Sequence, residues 1–210
     1  MARGGALTMA HANSENPETE AIEPASAAHV VMFARHGEKP GESGAPHGIN
    51  AQGESDKHSL SVRGWTRAGA LAALLAHAPL RSHPHVVRPQ RILATAPTHE
   101  TKSRREIDTA VPVGQRLGVS VEEVHGLGDE EAARRSILID SRHTFVVWHH
   151  GSLPEFVRGF PIANAEDVPQ RWPEDRFDLI WLLRREPGAA TYTFSHVDQQ
   201  LLAGDLGTDA

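Results

Sequence analysis

The chain has 210 residues, a hydrophobic fraction of 39%, a charged fraction of 23% and a net charge of −6. This is the composition of one ordinary globular domain, and its acidic balance argues against bulk binding to nucleic acid or to an anionic membrane. There is no cysteine, which excludes disulfides, thiolate nucleophiles and cysteine-type zinc sites and fits a reducing cytoplasm, the expected location.

Residues 1–28 are small, polar and acidic, with no apolar run of signal-peptide length, and are expected to form a disordered tail. A single domain is expected over 29–205, and the ending "AGDLGTDA" (203–210) is expected to be similarly loose. "HVVMFAR" (29–35) is a continuous apolar run of the kind a strand buried on both faces requires. The following segment, 36–59, is rich in Gly, Pro, Ser and Asn and has no periodicity. A loop of that length lines a site or moves. "SVRGWTRAGALAALLAHA" (61–78) predicts a helix with Trp65, Ala68, Ala72 and Leu75 on one face. "QRILATA" (90–96) predicts a strand and 99–118 a helix that Pro112 should end or kink.

Residues 119–124 predict a short strand, and 128–140 a helix with its acidic residues at the N-terminal end. "TFVVWHH" (144–150) predicts another buried strand, turning at Gly151 into a short helix over 153–160. Two last strands, 177–185 and 190–197, are joined by the turn "EPGA". This alternation predicts an α/β sandwich with a largely parallel sheet, in which ligands bind beyond the carboxyl ends of the strands. Two apolar strands end in histidine at that edge.

Each of the polar segments has an ordinary explanation when read alone. Arg35-His36-Gly37 can be a surface arginine and a hydrogen-bonded histidine at a strand end. Arg104 and Arg105 can belong to a solvated helix face, and His149 and His150 can be a buried pair. As a set they fit a phosphate-handling site, which needs guanidinium forks, a neutral imidazole as nucleophile and a glycine where backbone approaches closely. Fourteen histidines also raise a metal site, yet the tight pairs, His83/His85 and His149/His150, lack the i,i+4 helical spacing of a zinc motif.

Taken together, "RHGE" after the first strand, "LSVRGWTRAGALAALL", "SRREIDTA" and "VVWHHG" resemble the motifs of the histidine phosphatase (phosphoglycerate mutase-like) superfamily. The ending "FSHVDQQLLAGD" is similar to that of a bacterial branch that closes in Gln-x-Leu-Leu-x-Gly-Asp. The resemblance spans roughly residues 29–205. It implies a three-layer α/β/α sandwich with a mostly parallel central sheet and a metal-independent phosphatase without cofactor, acting on a small phosphorylated substrate.

By position, Arg35 and His36 match the family's first arginine and nucleophilic histidine. Arg105, four residues before Thr109, matches the second arginine, with Arg104 as runner-up. His150 matches the second histidine ahead of His149. For the proton donor the resemblance leaves Asp129 and Glu130 first and Glu38 after them. Gly37, Glu38 and Lys39 are candidate pocket residues, and Lys39, His47 and His58 could add to phosphate binding from a loop, 38–59, that roofs the pocket. A phosphomutase is disfavoured because the first motif continues as "GEKPGE"; a catalytically silent phosphate-binding module would follow from loss of the proton donor.

Overall fold

A computed structural model describes residues 1, 27–41 and 48–206. The expected tail and His47 lie outside them. The elements follow the predicted order: β1 (His29–Ala34), α1 (Val62–His77), β2 (Arg91–Ala94), α2 (Arg105–Leu117), β3 (Val121–Glu122), α3 (Glu130–Leu138), β4 (Thr144–Val147), α4 (Leu153–Arg158), β5 (Leu179–Arg185) and β6 (Thr193–Asp198). The chain is thus α/β, with a six-stranded mixed sheet in the order β3-β2-β4-β1-β5-β6. β3, β2, β4 and β1 pair in parallel, whereas β5 and β6 run antiparallel to their neighbours.

The antiparallel pairing of β5 with β6 follows from their short connection, since only antiparallel neighbours can be joined by a tight turn. In "EPGA" the Ala189 amide donates to the Glu186 carbonyl at 3.0 Å. Pro187 fits the second turn position, and Gly188 takes the positive φ of 77° that the third requires.

Strand residues alternate between two apolar clusters. Val30, Met32 and Ala34 join Leu71, Leu75, Ile107 and Val113 of α1 and α2. Val31 and Phe33 join Ile137, Phe156 and Val157 of α3 and α4. A strand buried on both faces has to read as a continuous apolar run, which is why β1 and β4 carry no polar alternation.

Three expectations need correction. α2 starts at Arg105 rather than 99 and runs on through Pro112 to Leu117. Buried Ile107, Ala110 and Val113 flank the proline, and their packing offsets the one backbone bond it removes. Trp65 is only half-buried; its indole N–H reaches across to the Ile49 carbonyl at 2.6 Å and ties the 48–60 segment to α1. The C-terminal segment, expected to be loose from Ala203 onward, is anchored by Asp205, whose carboxylate binds Arg67 and the Leu201 and Leu202 amides. Among the described residues no helix is long and apolar enough to cross a membrane.

Helix α1 meets the loop after β1 backbone to backbone. Ser61 caps it, accepting from the Gly64 amide at 3.1 Å while its own amide and hydroxyl bind the Glu38 carbonyl, both at 2.9 Å. A Cβ on Gly37 would stand 2.8 Å from the Gly64 carbonyl oxygen, and one on Gly64 would fall on the Glu38 carbonyl. Gly69 of the same helix has open space around it. Gly64→Ala should therefore destabilise the protein by about 1–3 kcal/mol through overpacking against backbone. Gly69→Ala should stabilise it by about 0.5–1 kcal/mol through helix propensity. Urea unfolding of the two variants checks the opposite signs.

Candidate active site

The parallel register of β1 with β4 ends at Ala34 opposite Val147, and the Trp148 amide adds one more bond, to the Ala34 carbonyl at 3.0 Å. Arg35 and His36 therefore leave the sheet beside His149 and His150. The rings of His36 and His150 stand edge to face, with centroids 6.0 Å apart. His149 stacks on His150 but turns its Nδ1 back to the Gly151 amide at 3.2 Å. Of the two, His150 is the one that faces His36.

His36 is 3% exposed, and its Nδ1 lies 2.6 Å from the Gly37 carbonyl. A carbonyl can only accept, so Nδ1 carries the ring proton and Nε2 is left with its lone pair. Burial is the main force that lowers the imidazole from 6.5 to about 3, and Arg35, Arg105 and His150 add to it. His150 falls to about 4 by burial, then by the charges of Arg35, His149 and Lys39. Its buried Nδ1 has no hydrogen-bond partner. Both imidazoles are neutral at pH 7.

Arg35 is 3% exposed. Its guanidinium lies 3.9 Å from the centroid of Phe177, donates to the Glu174 carbonyl at 2.5 Å, and keeps an unpartnered Nε. Burial lowers it to about 10, opposed by Glu106, Glu174 and Glu38, so it stays charged. Arg105 donates from Nε to the Ser59 carbonyl at 3.1 Å and from Nη2 to the Lys57 carbonyl at 2.6 Å. The 48–60 segment thus aims this guanidinium, and its charge reaches His36. Arg104 is exposed at the start of α2, where its amide donates to the His58 carbonyl at 3.0 Å. The helix is joined to the strand end by Thr109. Its hydroxyl accepts from the Gly37 amide at 2.8 Å and donates to the Arg105 carbonyl at 2.7 Å.

The carboxylates depart from expectation. Asp129 is exposed and folds back on the Gly126 amide at 2.8 Å. Glu130 accepts from the Trp148 indole at 3.1 Å. Its burial alone would raise its carboxyl, but hydrogen bonds from Trp148 and Ser152 hold it below the usual range, so it carries no proton near neutrality. Glu38 is ion-paired with Arg63 at 3.0 Å and Arg67 at 2.8 Å. Each of the three is thus engaged by a donor within the fold.

Sequence reasoning did not single out one further carboxyl in the region. Asp108, one turn after Arg105, is half-buried, and burial raises its carboxyl above the usual range. The Ser59 hydroxyl lies 2.5 Å from its Oδ2 and 2.7 Å from the Ile49 carbonyl. The hydroxyl donates to this carboxyl, and the Ile49 carbonyl also accepts from the Trp65 indole N–H. Buried Glu106, near Arg35, and Phe177 were also missed. The helix periodicity gives Asp108 and Glu106 no distinguishing mark.

The histidine pair 83/85 is not a ligand set. His83 is bonded to Ser82 and to the Asp198 carbonyl, and among the described residues no cluster of three His, Asp or Glu side chains could hold a metal ion. Neither a scan of protein-family models nor a search of curated proteins finds a match to this chain.

His29 joins His36 and His150 in a stability prediction. It lies between the Tyr192 hydroxyl and the Arg142 carbonyl, and burial lowers it to about 4. All three bind a proton in the unfolded chain below 6.5 that the folded chain refuses until about 4 or below. The unfolded state therefore holds more protons across that window, and stability falls as pH is lowered through it. Urea midpoints measured from pH 7 to pH 4 should decline steadily, and less steeply for His36→Asn.

Proposed function

We propose that the protein is a phosphatase that hydrolyses a small phosphate monoester through a phosphohistidine on His36, on the three-layer scaffold that the motif resemblance implies. The observation that carries this reading is the state of His36. It is a neutral imidazole with Nδ1–H held by a backbone carbonyl and Nε2 making no hydrogen bond among the described residues, set beside a buried, partly unpartnered guanidinium. A structural histidine is satisfied at both nitrogens, as His29 and His83 are.

In this reading Nε2 attacks phosphorus, an N–P bond forms and the ester P–O bond breaks. Arg35 and Arg105 hold the equatorial oxygens, where charge concentrates in the transition state. His150 donates a further hydrogen bond to them, and the bound dianion draws a proton onto it. The leaving oxygen takes its proton from Asp108, the carboxyl bordering Arg105 that favours the protonated form. Water then attacks phosphorus, the N–P bond breaks and phosphate leaves. Lys39 is close enough to His150 for its charge to be felt, which suits an anionic substrate.

The test is turnover of p-nitrophenyl phosphate by the purified protein in the presence of EDTA. His36→Ala should abolish it and vanadate should inhibit it; activity retained by His36→Ala sinks the mechanism. Arg105→Ala should cost on the order of 10²–10³ in rate, as expected for one transition-state donor.

Asp108→Asn separates the proton donor from the clamp. It should lower kcat on an alkyl phosphate by about 10² or more. Its effect on p-nitrophenyl phosphate should be small, because that leaving group departs without a proton. Equal losses on both substrates would remove Asp108 from the role.

A further inference from the structure

We propose that Arg67, bridging Glu38 and Asp205, is a positioning residue for His36. The bridge fixes the peptide whose carbonyl selects the imidazole tautomer. The inference rests on reading His36 as the nucleophile.

Arg67 is 2% exposed, although it lies in a helix whose neighbours on that face are alanine and leucine. Burying a guanidinium is costly unless its donors are met. Here they are. Nε lies 3.1 Å from both Glu38 oxygens, and Nη2 lies 2.8 Å from Glu38 Oε1 and 2.6 Å from Asp205 Oδ1. Nη1 donates to Asp205 Oδ2 at 3.0 Å and to Gln199 Oε1 at 3.1 Å. Burial would raise the Asp205 carboxyl, but Arg67 and the Leu201 and Leu202 amides hold it at about 2.

The cluster acts on the site through two bonded paths. The carbonyl that accepts from His36 Nδ1 belongs to the Gly37–Glu38 peptide. Arg67 grips the Glu38 side chain while Ser61 holds the Glu38 carbonyl, so this peptide is fixed at its glutamate end. Gly64 blocks its rotation from one side, since atoms there already approach to the limit that only glycine allows. The second path runs through Gln199, whose Nε2 donates to the Phe177 carbonyl at 3.3 Å and the Leu179 carbonyl at 3.1 Å. Phe177 is the ring beneath Arg35, with its centroid 6.0 Å from that of His36. One buried arginine thus holds the backing of both the nucleophile and the first phosphate clamp. It also explains why the chain carries "QQLLAGD" after its last strand: that segment supplies the acceptors on the far side of Arg67.

A tautomer is a spectroscopic quantity, so the proposal can be tested without turnover. In protein labelled with ¹⁵N-histidine, the His36 resonances, assigned by their loss in His36→Asn, should show a protonated Nδ1 and a bare Nε2. Asp205→Ala should give a mixture of tautomers and lower kcat by on the order of 10²-fold with KM little changed, the scale expected when a reacting group is misplaced. Asp205→Glu should recover most of both. Should Asp205→Ala fail to fold, Arg67→Lys takes its place, because an ammonium keeps the charge but cannot bridge two carboxylates. A folded variant of either kind with the wild-type tautomer pattern overturns the proposal. A wild-type protein that hydrolyses no phosphate ester, yet whose tautomer responds as described, supports the positioning role and overturns the phosphatase reading instead.

Discussion

The parallel pairing of β1 with β4 is the constraint from which the candidate site follows. Two strands that run the same way as immediate neighbours must end at the same edge, so the residues after Ala34 and Val147 face one another. One strand continues directly with Arg35 and His36, the other with His149 and His150 after the buried Trp148, and each then reaches a glycine where the chain can turn away. The result is a meeting of buried His36 and Arg35 with half-buried His150. Antiparallel pairing of the same two strands would place the histidines at opposite ends of the sheet.

A group of like-signed residues in a dry place needs compensation, and the protein supplies it in two ways. The imidazoles give up their charge, since burial and the neighbouring guanidiniums disfavour the protonated form. Arg35 keeps its charge with the Glu174 carbonyl and Glu106 near it, and the carbonyls of Lys57 and Ser59 accept from Arg105. The donors left over, Arg35 Nε among them, are those a bound oxyanion would satisfy. The 48–60 segment is thus a working part of the site, held to α1 through Trp65 and to α2 through Ser59.

Much of this was legible beforehand. The element order and the strand-end histidines follow from local patterns, the choice of Arg105 and His150 from the motif resemblance, and the geometry sets His150 against His36 with the charge of Arg105 within reach. The carboxylates were not legible. Asp129, Glu130 and Glu38 stand at suggestive places in the chain, but what a carboxyl does depends on who donates to it. Trp148 engages Glu130, Gly126 engages Asp129 and Arg67 engages Glu38, whereas Asp108 meets the Ser59 hydroxyl in a half-buried place that raises its carboxyl.

Apolar periodicity and the strand–His–Gly segments specify secondary structure and its order because they depend on residues a few positions apart. The mixed sheet, the passage of α2 through Pro112 and the Arg67 cluster depend on packing. The bond from Arg67 to Asp205 joins residues 138 positions apart, and the bond from Ser59 to Asp108 joins residues 49 apart. Nothing local marks such pairs, since an arginine in a helix and an aspartate in a tail read as solvent-exposed until folding removes the water from both. Tertiary structure therefore decided which charges are buried and which donors and acceptors meet them.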